Sequence, residues 1–392
     1  MSVTTPLGFR ASGVTAGLKP SGNPDVALVV NDGPSYTAAA VFTDNRCKAN
    51  PVLWSEQVCK DGQVRAVALN SGGANCYTGP AGFQTTHASA EHTAEALSAA
   101  ALPGVDATAA IDVAICSTGL IGELLDRDKL LGGLTEAAAK LSDDGGRAAA
   151  TAIMTTDTRA KEATHAGAGW SIGGMAKGAG MLAPSLATML VVITTDAVVD
   201  PVAADLALRA ATSATFDRLD SDGCMSTNDT VLLMASGASG VTPNHEEFTA
   251  GLTAVCHDLG QQLIGDAEGA EHDIAIEVVH AATQQDALDA ARAVARNNLF
   301  KCAVYGKDAN WGRILAAVGT TRAAFDPAAL DVAFNGVWVC RDGGIGESRD
   351  LVDLSPRQVE VTVDLKAGQE SATIWTNDLT HAYVHENSAY ST

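Results

Sequence analysis

"LAPSLATMLVVITTDA", residues 182–197, passes from a loop of small residues into an apolar run, and Thr188 stands at the join. The run is far too short to span a membrane, and its β-branched character marks a strand buried on both faces. Similar runs occur as "DVALVV" (25–30), "TAAAVFT" (37–43), "VRAVALN" (64–70) and "DVAICS" (112–117). Strands covered on both sides need other layers, and helices are predicted to supply them. The candidates are Phe83 to Ala101, Asp143 to Met154, Ala203 to Phe216 and the segment after Pro243, where Phe248, Leu252, Val255, Leu259 and Leu263 recur at helical spacing. The expected fold class is α/β (α+β), with sheets faced by helices.

The texture changes near residue 270. "DVAFNGVWVC" (331–340) sets Asn335 and Gly336 between two strand-like pieces, a strong hairpin signal, and Val359, Val361, Val363 and Leu365 alternate with polar residues as in a strand with one wet face. The expected division is a large domain over 1–270 and a smaller α+β domain over 271–392.

The 392 residues carry 25 Lys and Arg against 46 Asp and Glu, a net charge of −21. Such a surface repels phosphate backbones and anionic lipid, which argues against nucleic acid or membrane as partner and leaves small molecules as the expected ligands. Eight cysteines lie scattered without a CxxC pair, so the expected state is free thiols in a reducing, cytoplasmic setting. Neither a signal peptide nor a membrane span is expected.

Four glycine-rich stretches could approach a ligand closely: 69–79, "CSTGLIG" (116–122), 169–184 and 305–313. None fits a Walker A or a dinucleotide fingerprint. "CSTGLIG" follows a strand and sets a hydroxyl, Thr118, beside the flexible amide of Gly119, the ingredients of an oxyanion hole as well as of an ordinary turn. No GxSxG elbow, HExxH or Cys/His pair is present; His381 and His385 read as surface residues. Thr188 would gain chemistry only if the Ala187–Thr188 peptide were cut. Its hydroxyl would then sit beside its own α-amine, a base with an ordinary pKa of about 7.7 to 8.0.

"KGAGMLAPSLATML", "CSTGLIG", "AIMTTDT", "STNDTVLL", "DAEGA", "NWGR" and the terminal "ENSAYST" together resemble the ornithine acetyltransferase (glutamate N-acetyltransferase) family of arginine biosynthesis. The likeness runs from "GFRASGVTAGLK" at 8–19 to Thr392. It implies a helix–sheet–sheet–helix sandwich like that of the N-terminal-nucleophile hydrolases, and self-cleavage between Ala187 and Thr188 into an α chain of 1–187 and a β chain of 188–392.

By the same resemblance Thr188 is the nucleophile, Thr118 and Gly119 form the oxyanion hole, and Thr155, Lys177, Thr188, Glu268, Asn387 and Thr392 bind substrate. Lys177 is expected to pair with a substrate carboxylate and Glu268 with a cationic group. The implied reaction moves acetyl from N2-acetylornithine to glutamate through acetyl-Thr188, with ping-pong kinetics and no metal or other cofactor. Acetyl-CoA is a further donor in bifunctional members of that family, and the implied assembly is α2β2. Two rival readings are an amidase or aminopeptidase, if water takes the acyl group, and a binding protein that has kept the fold without processing. Asp222, Asn228 and Asp229 in "DGCMSTNDT" are assigned no catalytic role; holding a loop through side-chain to backbone bonds is the ordinary reading.

Overall fold

The computed structural model describes residues 2–99, 107–183 and 189–389. The strands in chain order are β1 (Phe9–Val14), β2 (Val26–Asn31), β3 (Thr37–Phe42), β4 (Ala66–Asn70), β5 (Val113–Ser117), β6 (Lys161–Ala166), β7 (Ser171–Lys177), β8 (Leu190–Thr195) and β9 (Thr230–Ala235). They form two sheets. The first is ordered β1-β2-β4-β5 and the second β3-β9-β8-β7-β6.

The helices with them are α1 (Asn50–Val58), α2 (Gly79–Ala99), α3 (Arg127–Ala139), α4 (Gly146–Ala152), α5 (Pro201–Ala214) and α6 (His245–Ile264). Two of these starts follow directly from side-chain caps. Asp200 accepts the amides of Val202 and Ala203 at the head of α5, and Asn244 accepts that of Glu247 at the head of α6.

Burial explains why the strands carry no polar face. β2, β4, β5, β8 and β9 are buried at every position. One core lies between the sheets: Val29, Val67, Leu69 and Cys116 of the first meet Met175, Leu190, Val192 and Leu232 of the second. The opposite face of the first sheet, with Leu28, Ala68 and Ile115, packs on Ala90 and Ala94 of α2 and Leu130 and Leu134 of α3. The opposite face of the second, with Val191, Ile193 and Leu233, packs on Leu208 of α5 and Phe248, Leu252 and Leu259 of α6. The layer order is therefore helix, sheet, sheet, helix. Each large apolar side chain so enclosed contributes about 1.5 to 3 kcal/mol relative to exposure.

A third sheet follows, built from β10 (Asp273–Ala281), β11 (Asp331–Phe334), β12 (Val337–Arg341), β13 (Gly344–Ile345), β14 (Gln358–Asp364) and β15 (Glu370–Asn377) in the order β13-β12-β11-β14-β10-β15. Its core includes Ile276, Val278 and Val361 against Ala287 and Val294 of α7 (Gln284–Ala295), Phe300 of α8 (Asn298–Tyr305) and Ile314 of α9 (Trp311–Val318). Asn335 and Gly336 turn the β11–β12 hairpin with φ of 46° and 80°, the two positive values that this tight turn demands. β14 buries Val359, Val361 and Val363 and exposes Gln358 and Glu360, as the alternation predicted. A final helix, α10 (His381–Ala389), has no buried residue.

The structure differs from the sequence reading in a few places. β1, β6 and β7 arise from stretches with Arg, Glu, Lys, His and Gly that hide their strand character. β8 begins at Leu190, two residues after Thr188. No helix among the described residues is long and apolar enough to cross a membrane, and the eight cysteines are free thiols.

Candidate active site

The strand ends place the site. β4 and β5 run parallel and stop together, with Asn70 opposite Ser117. The Ser117 hydroxyl donates to Asn70 Oδ1 at 2.6 Å, and Asn70 Nδ2 donates to the Gly73 carbonyl at 3.0 Å. The two glycine-rich loops leaving these strands are thereby locked against each other. Asn228 completes the lock, its Nδ2 donating at 2.7 Å to both the Ala74 and Ser117 carbonyls.

Thr118 and Gly119 emerge from this junction. The Thr118 amide is engaged, donating to the Asn70 carbonyl at 3.0 Å, and the Thr118 carbonyl accepts from Gly73. Its hydroxyl oxygen accepts from Lys177 Nζ at 3.2 Å, which leaves the hydroxyl proton available to another acceptor. The Gly119 amide makes no hydrogen bond to a described residue. Gly119 sits at φ of 126°, and a Cβ there would come within 2.8 Å of the Gly73 nitrogen, so only glycine fits. A hydroxyl and an unengaged amide side by side are two donors for one developing oxyanion.

Lys177 ends β7, where its Cα partner is Leu190 at the start of β8. It is only 2% exposed. Burial pulls its pKa down; Asp157, Asp229 and Glu268 oppose that, while Lys161 adds to it. The amine thus lies behind the Thr118 hydroxyl.

Asp157 organises the opposite wall. Burial alone would raise its pKa, but Lys177, Lys161 and the Gly178 amide outweigh burial and bring it to about 2. Asp157 Oδ1 accepts from Lys161 Nζ at 2.6 Å and from the Gly178 amide at 2.7 Å, while Oδ2 accepts the Thr155 amide at 2.9 Å. Lys161 also reaches Asp266 at 2.5 Å.

Glu268 is half-buried. One of its oxygens accepts from the Thr156 hydroxyl at 2.7 Å and the other from Asn387 Nδ2 of α10 at 3.0 Å. A Cβ on Gly180 would lie 2.8 Å from that carboxylate, so Gly180 makes room for it. Glu268 also lines a cavity of about 290 Å³ with Asp222, Arg296, Lys301 and Tyr383.

Of the residues expected from sequence, Lys177 meets Thr118, which Gly119 follows in the chain, the Thr155 amide is held by Asp157, and Glu268 meets Asn387. Ala187, Thr188 and Thr392 lie outside the described residues. Sequence reasoning missed Thr156, Asp157 and Asn70; for Asn228 and Asp229 it expected side-chain to backbone bonds, and both make them. The adjacency of Thr156 and Asp157 to Thr155 in "MTTD" was the only local signal for the first two.

A four-layer sandwich with paired donors at its strand ends is a framework suited to carbonyl chemistry. A family model described as the ArgJ family matches residues 10–392. The arginine biosynthesis bifunctional protein ArgJ of Streptomyces avermitilis is 65% identical over 391 residues, covering 100% of both chains. The protein of that name from Mycobacterium tuberculosis is 55% identical, covering 99% of this chain and 96% of its own. Among solved structures, the ornithine acetyltransferase of Mycobacterium tuberculosis, complexed with ornithine, is 57% identical and covers 47% of this chain and 95% of its own, at a TM-score of 0.45. The chain belongs to the ArgJ family.

Proposed function

We propose that this protein transfers the acetyl group of N2-acetylornithine to glutamate, giving ornithine and N-acetylglutamate, after cutting itself between Ala187 and Thr188. The observation that carries the reading is the meeting of the Thr118 hydroxyl, next in the chain to the Gly119 amide, with Lys177, whose strand partner Leu190 lies two residues beyond Thr188. Family membership over nearly the whole chain supports it.

In the first stage the Thr188 hydroxyl attacks the Ala187 carbonyl carbon, shifting the acyl group from nitrogen to oxygen. Water then hydrolyses that ester, leaving a carboxylate on Ala187 and a free amine on Thr188. In the second stage Thr188 Oγ1 attacks the acetyl carbonyl of N2-acetylornithine and its own amine takes the hydroxyl proton. The oxyanion is held by the Thr118 hydroxyl and the Gly119 amide, with Lys177 fixing the hydroxyl from behind. Collapse breaks the C–N bond, the leaving amine of ornithine takes the proton, and acetyl-Thr188 remains. The amine of glutamate attacks this ester and restores the hydroxyl.

Glu268 faces the cationic side chain of ornithine. Each of its oxygens already has one donor and retains a lone pair for an ammonium. Thr155, Asn387 and Thr392 complete the pocket in this reading, and chains 1–187 and 188–392 assemble as α2β2. The relatives' description as bifunctional supports a second donor, which this reading takes to be acetyl-CoA.

Purified protein is expected to run as two fragments on a denaturing gel, and the second should gain one acetyl group when N2-acetylornithine is added without glutamate. Thr188→Ala should abolish both cleavage and transfer; transfer that survives it overturns the mechanism. Acetate release independent of glutamate would make the protein an amidase instead.

A further inference from the structure

Residues 15–25 join β1 to β2, and one fully buried carboxylate folds this loop. Asp25 Oδ1 accepts the Ala16 amide at 2.6 Å, and Oδ2 accepts the amides of Leu18 at 2.6 Å and Lys19 at 3.0 Å. The loop is fastened to the oxyanion junction at two points. The Asp25 carbonyl accepts the Ser71 amide at 3.0 Å, and Leu18 packs so closely on Gly72 that a Cβ there would lie 2.3 Å from the Leu18 Cβ. Gly72 in turn abuts Gly119, whose added Cβ would come within 3.3 Å of the Gly72 carbonyl carbon.

Lys19 extends from this loop to the wall that carries Thr155. Its ammonium donates to the Pro24 carbonyl at 2.8 Å and, at 2.6 Å, to the carbonyl of Met154, next in the chain to Thr155. Burial pulls the Lys19 pKa down; Asp25 and Asp157 oppose that, while Lys177 adds to it. Lys19, Lys161 and Lys177 thus bring three ammonium groups to the site, and their surroundings differ. Lys161 is fully enclosed between the carboxylates of Asp157 and Asp266, and Lys177 is 2% exposed behind the Thr118 hydroxyl. Lys19 is partly exposed, and both of its hydrogen-bond partners among the described residues are neutral carbonyls. Of its three N–H donors one is therefore open, and carbonyl oxygens solvate a cation without neutralising it.

We propose that Lys19 binds the α-carboxylate of both substrates. In N2-acetylornithine and in glutamate, the nitrogen that carries or receives acetyl is bonded to the same carbon as that carboxylate. Donor and acceptor therefore present it at one place relative to the acetyl group, and one cation serves both half-reactions. In a chain of net charge −21 such an anion needs a local positive group. The open donor of Lys19 supplies a charge-assisted hydrogen bond between the Thr155 wall and the loop packed behind Gly119. This assignment rests on the acetyl-transfer reading above and adds the group that selects α-amino acids as its substrates.

The test uses cleaved wild type and Lys19→Met, with melting temperatures alongside. Each substrate is paired with its analogue lacking the α-carboxylate: N2-acetylornithine with N-acetylputrescine as donor, glutamate with γ-aminobutyrate as acceptor. Wild type should favour the carboxylate-bearing member of each pair in kcat/KM by about tenfold or more. Lys19→Met should lower kcat/KM for N2-acetylornithine and for glutamate about 10- to 100-fold, the scale of one hydrogen bond to a charged group, and leave both analogues within about threefold of wild type. The loss should fall on KM, with kcat close to wild type.

Wild-type KM for both substrates in Lys19→Met overturns the assignment and leaves the carboxylate to Lys177. So does an equal loss on substrates and analogues, or a loss confined to kcat, either of which marks a merely structural role. Should Lys19→Met fail to fold, Lys19→Gln, uncharged and still polar, decides by the same comparison. If wild type moves no acetyl from N2-acetylornithine, the acetyl-transfer reading falls and the role of Lys19 with it; an active wild type beside an unaffected Lys19→Met removes the Lys19 role only.

Discussion

Lys177 Nζ lies 3.2 Å from the Thr118 hydroxyl oxygen, and both side chains are buried. A cation behind a hydroxyl turns that hydroxyl's proton outward and strengthens it as a donor. Thr118→Val preserves shape and removes the donor. It should lower kcat by about 10² to 10³, the cost of one oxyanion-hole donor, with Thr118→Ser retaining most of the activity. Steady-state transfer assays on cleaved protein are the check.

Gly119 is expected to tolerate no side chain. A Cβ would meet the Gly73 nitrogen at 2.8 Å, and φ of 126° lies where residues with side chains are strained. Gly119→Ala should cost about 1 to 3 kcal/mol by this strain and displace the free amide of the site. Denaturant titration measures the first effect and kcat the second.

Asp157 stands between two buried ammonium groups, those of Lys161 and Lys177. Its folded pKa of about 2 lies below the ordinary 3.8, so the stability it contributes is present above the ordinary value and is lost as pH falls toward the folded one. The loss should be on the order of 2 kcal/mol. Asp157→Asn removes that dependence, leaving Lys161 with Asp266 alone and Lys177 poorly paired, at a cost of about 3 to 5 kcal/mol near neutrality. Melting curves at pH 5 and pH 2.5 should show the variant's deficit shrinking in acid.

Glu268→Gln should act on binding. Hydrogen bonds to a charged group are worth about 1.5 to 3 kcal/mol, so KM for N2-acetylornithine should rise about 10- to 100-fold while kcat changes little. A variant with unchanged KM would show that the cationic end of the donor binds elsewhere.

Much of the layering was legible in advance because strands buried on both faces have no polar alternation to disguise. "LVVIT" and "VALVV" could have been read in no other way, and Phe248 to Leu263 announced α6 by period alone. β7 was opaque, since the Gly173 and Gly174 pair reads as a loop. Those glycines are there because a Cβ on Gly173 would strike the Ser2 carbonyl oxygen at 2.1 Å, whereas one on Gly174 would lie about 3 Å from Leu259 and Val255.

The site divides in the same way. Thr118 and Gly119 are neighbours in sequence and could be found as a pair. Asp157, Asn228 and Asp229 act through backbone groups distant along the chain, such as Gly178, Ser117 and Met189. Contacts of that kind leave no local pattern.

The strand order of the second sheet carries a mechanical consequence. β8 and β9 come after the proposed cut, while β3, β6 and β7 come before it, and the order β3-β9-β8-β7-β6 wedges the later pair among the earlier three. Two fragments interleaved in this way cannot drift apart: release would require unzipping the β3–β9 and β7–β8 ladders at once and tearing open the core between the sheets. A severed chain should therefore elute from a sizing column as one species and part only in denaturant, and once parted the halves should rejoin poorly, because neither retains a template against which the other can zip.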